Sequence, residues 1–526
     1  MKDVNEVKIG KVSQAPGFDA VKIKTEFNAF GFMKTCWLLL TIFLQFVVLM
    51  LSYMYLHELF QWLSLASIII SVSTCIYVLS SDKNGLIKGV WIFFLLVCFM
   101  FAYILFFASD EHILFVPSKK RYKKIYAKTD KHIDNQLSFE KVDKKVASDC
   151  KYLQNIGKFV AYDGTRAKYY PSGAKMFDDV LEDLAKAEKY IFIEFYIISD
   201  GVLLEKTLKI LKEKVDQGVD VRIIYDDMGS YGTFKRKTKR RIKKMGIKLR
   251  SYNKMIPVFS MALNFRDHRK FVLVDGKIGY TGGANLADEY VNEKRMHGYW
   301  KDTAIKIEGN AVNAFVLAFL RQWEFLTKEE QDYEKHLNLA QTFSNKQVVA
   351  PFVDGIDYKP AIARDVYINM IANAQEKVWI MTPYFIPDDT IFDLLKNKAR
   401  SGVDVRIVLP DVADKKYVYI VSRNNAERLI DAGVRVFTMT HSFVHAKMCL
   451  TEYSAVVGSI NFDQRSFCQQ FESGVYTNDN QVLSDIEKDY QDTFAKSCEV
   501  TVKNRRRNKL SNRVLAGVFR LASPFM

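Results

Sequence analysis

The chain repeats itself, and that repeat restricts the fold more than any other feature. Ala187-Glu-Lys-Tyr-Ile-Phe-Ile-Glu-Phe-Tyr196 answers to Ala374-Gln-Glu-Lys-Val-Trp-Ile-Met-Thr-Pro-Tyr384, and Gly218-Val-Asp-Val-Arg222 recurs unchanged as Gly402-Val-Asp-Val-Arg406. Gly246-Ile-Lys-Leu249 is matched by Gly433-Val-Arg-Val436. One supersecondary unit used twice is the consequence. Within each copy, continuous apolar segments of strand length alternate with amphipathic segments of helix length, the pattern of a sheet covered by helices. The expected fold is α/β, with two similar halves related by a pseudo-two-fold axis.

Each copy ends on a second shared feature. In Phe265–Asn285, His268 and Lys270 stand two residues apart and so point to one side of an extended strand. The apolar run Phe271–Val274 leads into the turn Asp275-Gly276, and a second apolar strand ends in Gly282-Gly283-Ala284-Asn285. A hairpin of this form brings its two ends together. It would set an imidazole, an ammonium and a neutral amide around one anion. The second copy runs His445-Ala446-Lys447, Met448–Thr451, Glu452, and a strand closing on Gly458-Ser459-Ile460-Asn461. It is one residue shorter, the loss falls in the turn, and Glu452 stands in place of an Asp.

His-x-Lys, four residues, Asp, six residues, Gly-Gly-x-Asn, present twice, resembles the phospholipase D superfamily. The flanks NFRDHRK, TGGANLADEY, HGYWKDT and GSINFDQRSF look like those of the bacterial cardiolipin synthase family, over roughly Lys151 to the C-terminus. The resemblance implies two phospholipase D-type sandwich halves, with mixed sheets covered by helices and the two hairpins face to face at one site. It also implies a catalytic set of His268, Lys270, Asp275, His445, Lys447 and Glu452, in which Asp275 and Glu452 are hairpin supports. Asn285 and Asn461 would hold substrate phosphate, and Asp302 and Glu472 would orient the imidazoles. No metal or other cofactor is expected, because two ammonium groups beside the imidazoles would repel a cation.

The implied reaction is phosphatidyl transfer from one phosphatidylglycerol to another through a phosphohistidine, giving cardiolipin and glycerol. The order His268 as nucleophile and His445 as general acid, then base, follows the family's usual assignment. Three alternatives stay open: a lipid hydrolase or other phosphatidyltransferase, a nuclease, and a non-catalytic lipid-binding scaffold. The formal charge of +16 calls for an anionic partner. The hydrophobic N-terminal third makes that partner anionic lipid rather than nucleic acid.

Three apolar runs, Trp37–Leu56, Trp62–Leu79 and Val90–Ala108, each approach the ~20 residues a helix needs to cross a bilayer. The segment Ser118–Lys131 then carries seven Lys and Arg residues, which places the following catalytic part on the cytoplasmic side of a bacterial membrane. The predicted division is a tail over 1–36, a membrane region of two or three helices over 37–116, and a basic linker over 117–150. The halves follow over 151–335 and 345–502, and a basic amphipathic segment over 503–526 ends the chain. That last segment suits either a membrane surface or a packed helix. Met255–Leu263, apolar and just before His268, is read either as a lipid-facing lip or as a buried loop. The seven cysteines show no metal or disulfide spacing.

Overall fold

The structure is a computed structural model. It describes residues 57–81, 85–99, 101–109, 116–133, 142–254, 265–337, 342–355, 361–506 and 509–520, with short pieces between 40 and 54. Of the first apolar run, Leu40, residues 43–51 and Met54 are described, as helix, and the candidate lip at Met255–Leu263 lies wholly outside the described residues.

The second apolar run forms helix α1 (His57–Ser80). The third does not form one helix but two, α2 (Gly85–Val97) and α3 (Ala102–Ser109). At the break, the Ser71 hydroxyl of α1 lies 3.1 Å from both Leu95 O and Phe99 O. A side-chain donor thus serves main-chain acceptors where the helix is interrupted. Among the described residues only Gln61–Ser80, at a mean hydropathy of 2.0, is long and apolar enough to cross a membrane. A set of several such helices is therefore not what the described residues contain.

The basic segment is not a free connector. It forms α4 (Val116–Thr129) and, after a gap, α5 (Lys144–Gly157). Tyr122 of α4 is buried and stacks on Phe325 with ring centroids 4.0 Å apart. Helix α5 buries Val146, Cys150, Leu153 and Gly157, spaced to lie along one face, and Asp143 caps its N-terminus by accepting from Lys145 N and Val146 N. That spacing was readable in the sequence but is masked by the charges between.

The first half contains β1 (Arg166–Tyr170), β2 (Tyr190–Phe195), β3 (Asp220–Asp226), β4 (Lys248–Tyr252), β5 (Arg266–Asp267), β6 (Lys270–Val274), β7 (Ile278–Gly282), β8 (Tyr299–Lys301) and β9 (Ala304–Glu308). Helices α6 (Gly173–Ala185), α7 (Val202–Asp216), α8 (Arg236–Lys244) and α9 (Val312–Thr327) cover them. The second half contains β10 (Val349–Asp354), β11 (Lys377–Met381), β12 (Phe385–Ile386), β13 (Asp404–Pro410), β14 (Arg435–Met439), β15 (Ser442–Val444), β16 (Met448–Thr451), β17 (Ala455–Gly458), β18 (Phe462–Asp463), β19 (Gln470–Thr477) and β20 (Ser497–Val500). Its helices are α10 (Ile362–Asn373), α11 (Asp389–Arg400), α12 (Lys416–Leu429), α13 (Gln464–Gln469) and α14 (Asn480–Ala495), and α15 (Leu510–Arg520) follows.

The main sheets run β1-β9-β7-β6-β2-β3-β4 and β10-β19-β17-β16-β11-β13-β14-β20. Strand for strand the orders coincide, with β20 added at one edge, so the duplicated sequence is a duplicated mixed sheet. The parallel strands β2 and β3 pair through near-continuous apolar residues, as a sheet covered on both faces requires. One apolar core passes through both halves and takes in Tyr122, Val146, Cys150 and Leu153.

Small strands cross between the halves. β5 pairs with β19, and β8 pairs with β15, each in parallel. These exchanges tie the chain just before His268 and just before His445 to the opposite half.

Candidate active site

His268 follows β5, and its N–H donates to Phe471 O of the other half at 2.9 Å. His445 follows β15, and its N–H donates to Lys301 O at 2.7 Å. The carboxylates are exchanged in the same sense. His268 Nδ1 lies 3.0 and 3.1 Å from the two Glu472 oxygens, and His445 Nδ1 lies 2.8 Å from Asp302 Oδ2. Asp302 and Glu472 therefore stand where they were expected to orient imidazoles, but each serves the histidine of the opposite half. Because Nδ1 of both rings is engaged, the free nitrogen in each is Nε2.

The close crossing shapes the local sequence. A Cβ on Gly283 would meet Asp302 Oδ1 at 2.0 Å and His445 O at 2.8 Å, so only glycine lets Asp302 pass. The corresponding Ser459 faces the longer Glu472 and donates its hydroxyl to it, as does Ser466. Between the halves, Thr281 Oγ1 and Ser473 Oγ lie 2.8 Å apart. Sequence reasoning did not assign Ser459 and Ser466. Both lie in the quoted GSINFDQRSF, so the signal was present without a role.

All four basic groups are buried and feel one another. Burial pushes His268 well below the usual imidazole range, and Lys270, Lys447 and His445 push it the same way. His445 is lowered to about 4, by burial first and Lys447 second, against the pull of Asp302. Burial brings Lys270 down to about 7 and Lys447 to about 8. Glu472 moves oppositely, to about 8, because burial disfavours its charge more than Lys270 and the two serine hydroxyls favour it. Lys270 Nζ and Lys447 Nζ each donate to the main-chain oxygen of the histidine two residues before. Lys447 Nζ is also 2.9 Å from His445 Nδ1, but a ring nitrogen that donates to Asp302 cannot accept from Lys447.

Aromatic edges complete the walls. Tyr196 meets His268 and Tyr290 meets His445, with ring centroids 5.0 and 5.3 Å apart. The two asparagines are not equivalent. Asn285 Oδ1 accepts from Ile197 N at 3.0 Å, and its Nδ2 is buried without a hydrogen bond of good geometry, although the Tyr290 hydroxyl is beside it. The Asn461 side chain bonds Asp463, and its Oδ1 is the buried atom without a partner.

The motif acids stand elsewhere. Asp275 lies five residues along the strand from Lys270, roughly 17 Å away by strand rise. It accepts from the N–H groups of Glu188, Lys189 and Tyr190, each at 2.8 Å, and so fixes the start of β2. Asp275 and Gly276 have φ of 53° and 66°, the left-handed pair a tight hairpin needs. Glu452 does the same for β11, accepting from Gln375 N at 2.9 Å and from Glu376 N and Lys377 N at 3.4 Å, with Lys145 Nζ at 2.9 Å as well. The shorter second turn is closed by Thr451 N donating to Ser454 O at 2.9 Å. Both acids are supports outside the reacting centre. Glu452→Ala is expected to cost about 1 kcal/mol of stability, since it strips three largely exposed amides of their acceptor and Lys145 of its partner. Thermal unfolding would show a lower midpoint while kcat changes less than about threefold.

A family model described as the phospholipase D-like domain of cardiolipin synthase matches the chain twice, over residues 180–307 and 367–494. A Staphylococcus aureus cardiolipin synthase is 34% identical over 71% of this chain and 76% of its own length. The chain belongs to the cardiolipin synthase family of phospholipase D-like proteins. Cardiolipin synthase 2 of Bacillus anthracis is 32% identical over 69% of this chain and 71% of its own. An uncharacterized protein of Streptococcus mutans is 38% identical over 71% of this chain and 82% of its own. The crystal structure of a Haemophilus influenzae phosphatidylserine synthase superposes at a TM-score of 0.56 and 14% identity, over 72% of this chain and all of that one, which shows a shared fold. In this family member, the two matched segments are the two halves that exchange strands and carboxylates.

Proposed function

We propose that the protein transfers a phosphatidyl group from one phosphatidylglycerol to the primary hydroxyl of a second, giving cardiolipin and glycerol. The observation that carries the reading is the convergence of two imidazoles and two lysine amines, each imidazole held by a carboxylate of the opposite half. His445 takes up a proton on Nε2 as the phosphodiester anion binds; His268 Nε2 then attacks phosphorus, and the bond to the departing glycerol oxygen breaks as His445 Nε2 delivers that proton to it. His445 then takes the proton from the incoming hydroxyl, which displaces His268 and restores both rings. One phosphodiester is exchanged for another, so no energy source is consumed.

On this reading Lys270, Lys447 and the Asn285 amide meet the non-bridging oxygens. Asn461 would first have to release Asp463. Neutral imidazoles suit the nucleophilic step. The bound phosphodiester anion, with Asp302, favours the imidazolium that His445 needs as an acid. Water exclusion falls to the aromatic walls of Tyr196 and Tyr290.

The pH dependence follows from these directions. kcat/KM should rise as pH falls through 6.5, the ordinary imidazole value, because His445 must gain a proton to act as the acid while the free ring is still neutral there, and should decline only well below it, where His268 is itself protonated. On the alkaline side it should decline from about pH 7 to 8, as Lys270 and Lys447 lose their protons and no longer neutralise the phosphate. A pH–rate profile in mixed micelles checks both limbs, and an acid limb at 6.5 would contradict neutral buried imidazoles.

On the same reading, α1 crosses the membrane of a bacterial cell and the broken pair α2–α3 returns. The seven basic residues of Ser118–Lys131 then hold the catalytic body on the cytoplasmic face. Helix α15 supports this placement. It packs through buried Ala516 and through Phe519 near Tyr417, yet leaves Leu510, Val514 and Val518 exposed at 70%, 59% and 58%. Packing and surface contact are thus served by opposite faces of one helix. The predicted partition into tail, membrane region, two halves and C-terminal segment is retained, with 117–150 assigned to the catalytic body.

Lipid mass spectrometry of a bacterial host lacking its own cardiolipin synthases tests the reaction. Expression should restore cardiolipin, and purified protein given phosphatidylglycerol should release glycerol in equal amount. Phosphatidic acid as the main product would instead make it a hydrolase.

A further inference from the structure

A cavity of about 550 Å³ opens between α4 and α5, outside the catalytic centre. Lys119, Lys120, Lys123, Lys158 and Arg321 line it, against the single carboxylate of Asp130. That carboxylate is already shared, with Lys158 Nζ at 2.5 Å and Arg321 Nη2 at 2.9 Å, so the lining residues are predominantly basic. Lys120 and Lys123, both exposed, stand one helical turn apart on α4. Ala127 and Ile156, the latter 45% exposed, add an apolar margin.

The position narrows the ligand. Helix α3 of the apolar region ends at Ser109 and α4 begins at Val116, so a fully extended chain separates them by at most about 25 Å. A concave cationic wall at that distance from the hydrocarbon lies within reach of the headgroup layer. A flat basic stripe would need only surface charge, whereas a cavity with an apolar edge fits a phosphate attached to a glyceryl body.

We infer that this cavity is a second, non-catalytic site that holds the phosphate of an anionic phospholipid. The cavity also abuts the catalytic centre from behind. Tyr126 and Arg321 border a small internal space shared with Arg269 and Phe471, and the ring of Tyr122 is 5.5 Å from that of Phe471. Phe471 O is the acceptor for His268 N. A lipid seated here fixes α4 against the strand that positions the first histidine. The site does not depend on the reaction proposed above, and a catalytically dead chain retains it.

The test uses the full chain in phosphatidylcholine nanodiscs containing increasing dioleoylphosphatidic acid, a phosphomonoester that cannot serve as phosphodiester donor. Hydrogen exchange of Val116–Thr129 and Lys144–Gly157 is read in wild type, His268→Ala, Lys120→Glu/Lys123→Glu and Ala127→Trp. Protection is expected in the first two alike. Reversing two lysine charges should shift its midpoint by a factor on the order of 30 or more. Ala127→Trp, which fills the cavity without changing charge, should abolish it. Unchanged protection in both lysine and tryptophan variants overturns the site. Loss in the lysine variant alone reduces it to general surface attraction, and equal protection by inorganic phosphate makes it a small-anion site; either result also overturns the inference.

Discussion

His268→Ala is expected to lower the rate of cardiolipin formation by at least about 10⁴-fold, because removal of the attacking group closes the covalent route. His445→Ala should fall by a comparable factor with phosphatidylglycerol as donor, for a different reason. The glycerol oxygen is a poor leaving group without a proton. A donor carrying p-nitrophenol in place of glycerol separates the two, since p-nitrophenolate departs unprotonated. With it, His445→Ala should release p-nitrophenol at a near-normal rate and accumulate a phosphatidylated His268, detectable by mass spectrometry of the intact chain. His268→Ala should release none. The opposite pattern, with rescue in His268→Ala and a label on His445, would reverse the roles assigned to the two rings. Circular dichroism and the unfolding midpoint should be near those of the parent, since neither ring is part of the apolar core.

Much of this arrangement was readable before any coordinates, for identifiable reasons. The duplicated Gly-Val-Asp-Val-Arg segments became β3 and β13, equivalent strands in sheets of the same order. The Asp275-Gly276 dipeptide became a tight hairpin because two successive left-handed residues have so few sequence solutions. Local chemistry leaves local marks. What crosses between halves leaves none: no spacing in the sequence pairs Glu472 with His268, at a separation of 204 residues, rather than with His445. The steric requirement at Gly283 was equally hidden, since the reason for a missing Cβ is the Asp302 carboxylate arriving from outside the hairpin. In the apolar N-terminal region, the run Val90–Ala108 reads as one helix in the sequence and forms two. Its interruption is served by Ser71 on a different helix, beyond what a single run can report.

The exchanged carboxylates make the second large effect a crossed one. Glu472→Gln, in the second half, should behave as a lesion of His268, and Asp302→Asn, in the first half, as a lesion of His445. Each amide keeps the shape of the acid but presents an NH₂ in place of one acceptor oxygen, so the Nδ1 proton is held less firmly and the ring is no longer confined to the tautomer that presents Nε2. A loss of about 10² to 10⁴-fold is expected for each with phosphatidylglycerol. The activated donor again distinguishes them. Asp302→Asn should recover p-nitrophenol release, because only proton delivery to the leaving oxygen is impaired. Glu472→Gln should not, because the attack itself is impaired. Two self-contained halves would give the reverse assignment, with Glu472→Gln rescued. The comparison therefore tests the exchange between halves as well as the chemistry. Glu472→Gln is also the sterner case on folding grounds. The carboxyl accepts from Ser459 and Ser466 as well as His268, and the replacement must turn its NH₂ toward one of these donors. An unfolding midpoint lowered by several degrees with the crossed kinetic pattern intact fits that cost, whereas the kinetic pattern alone decides which ring each carboxylate serves.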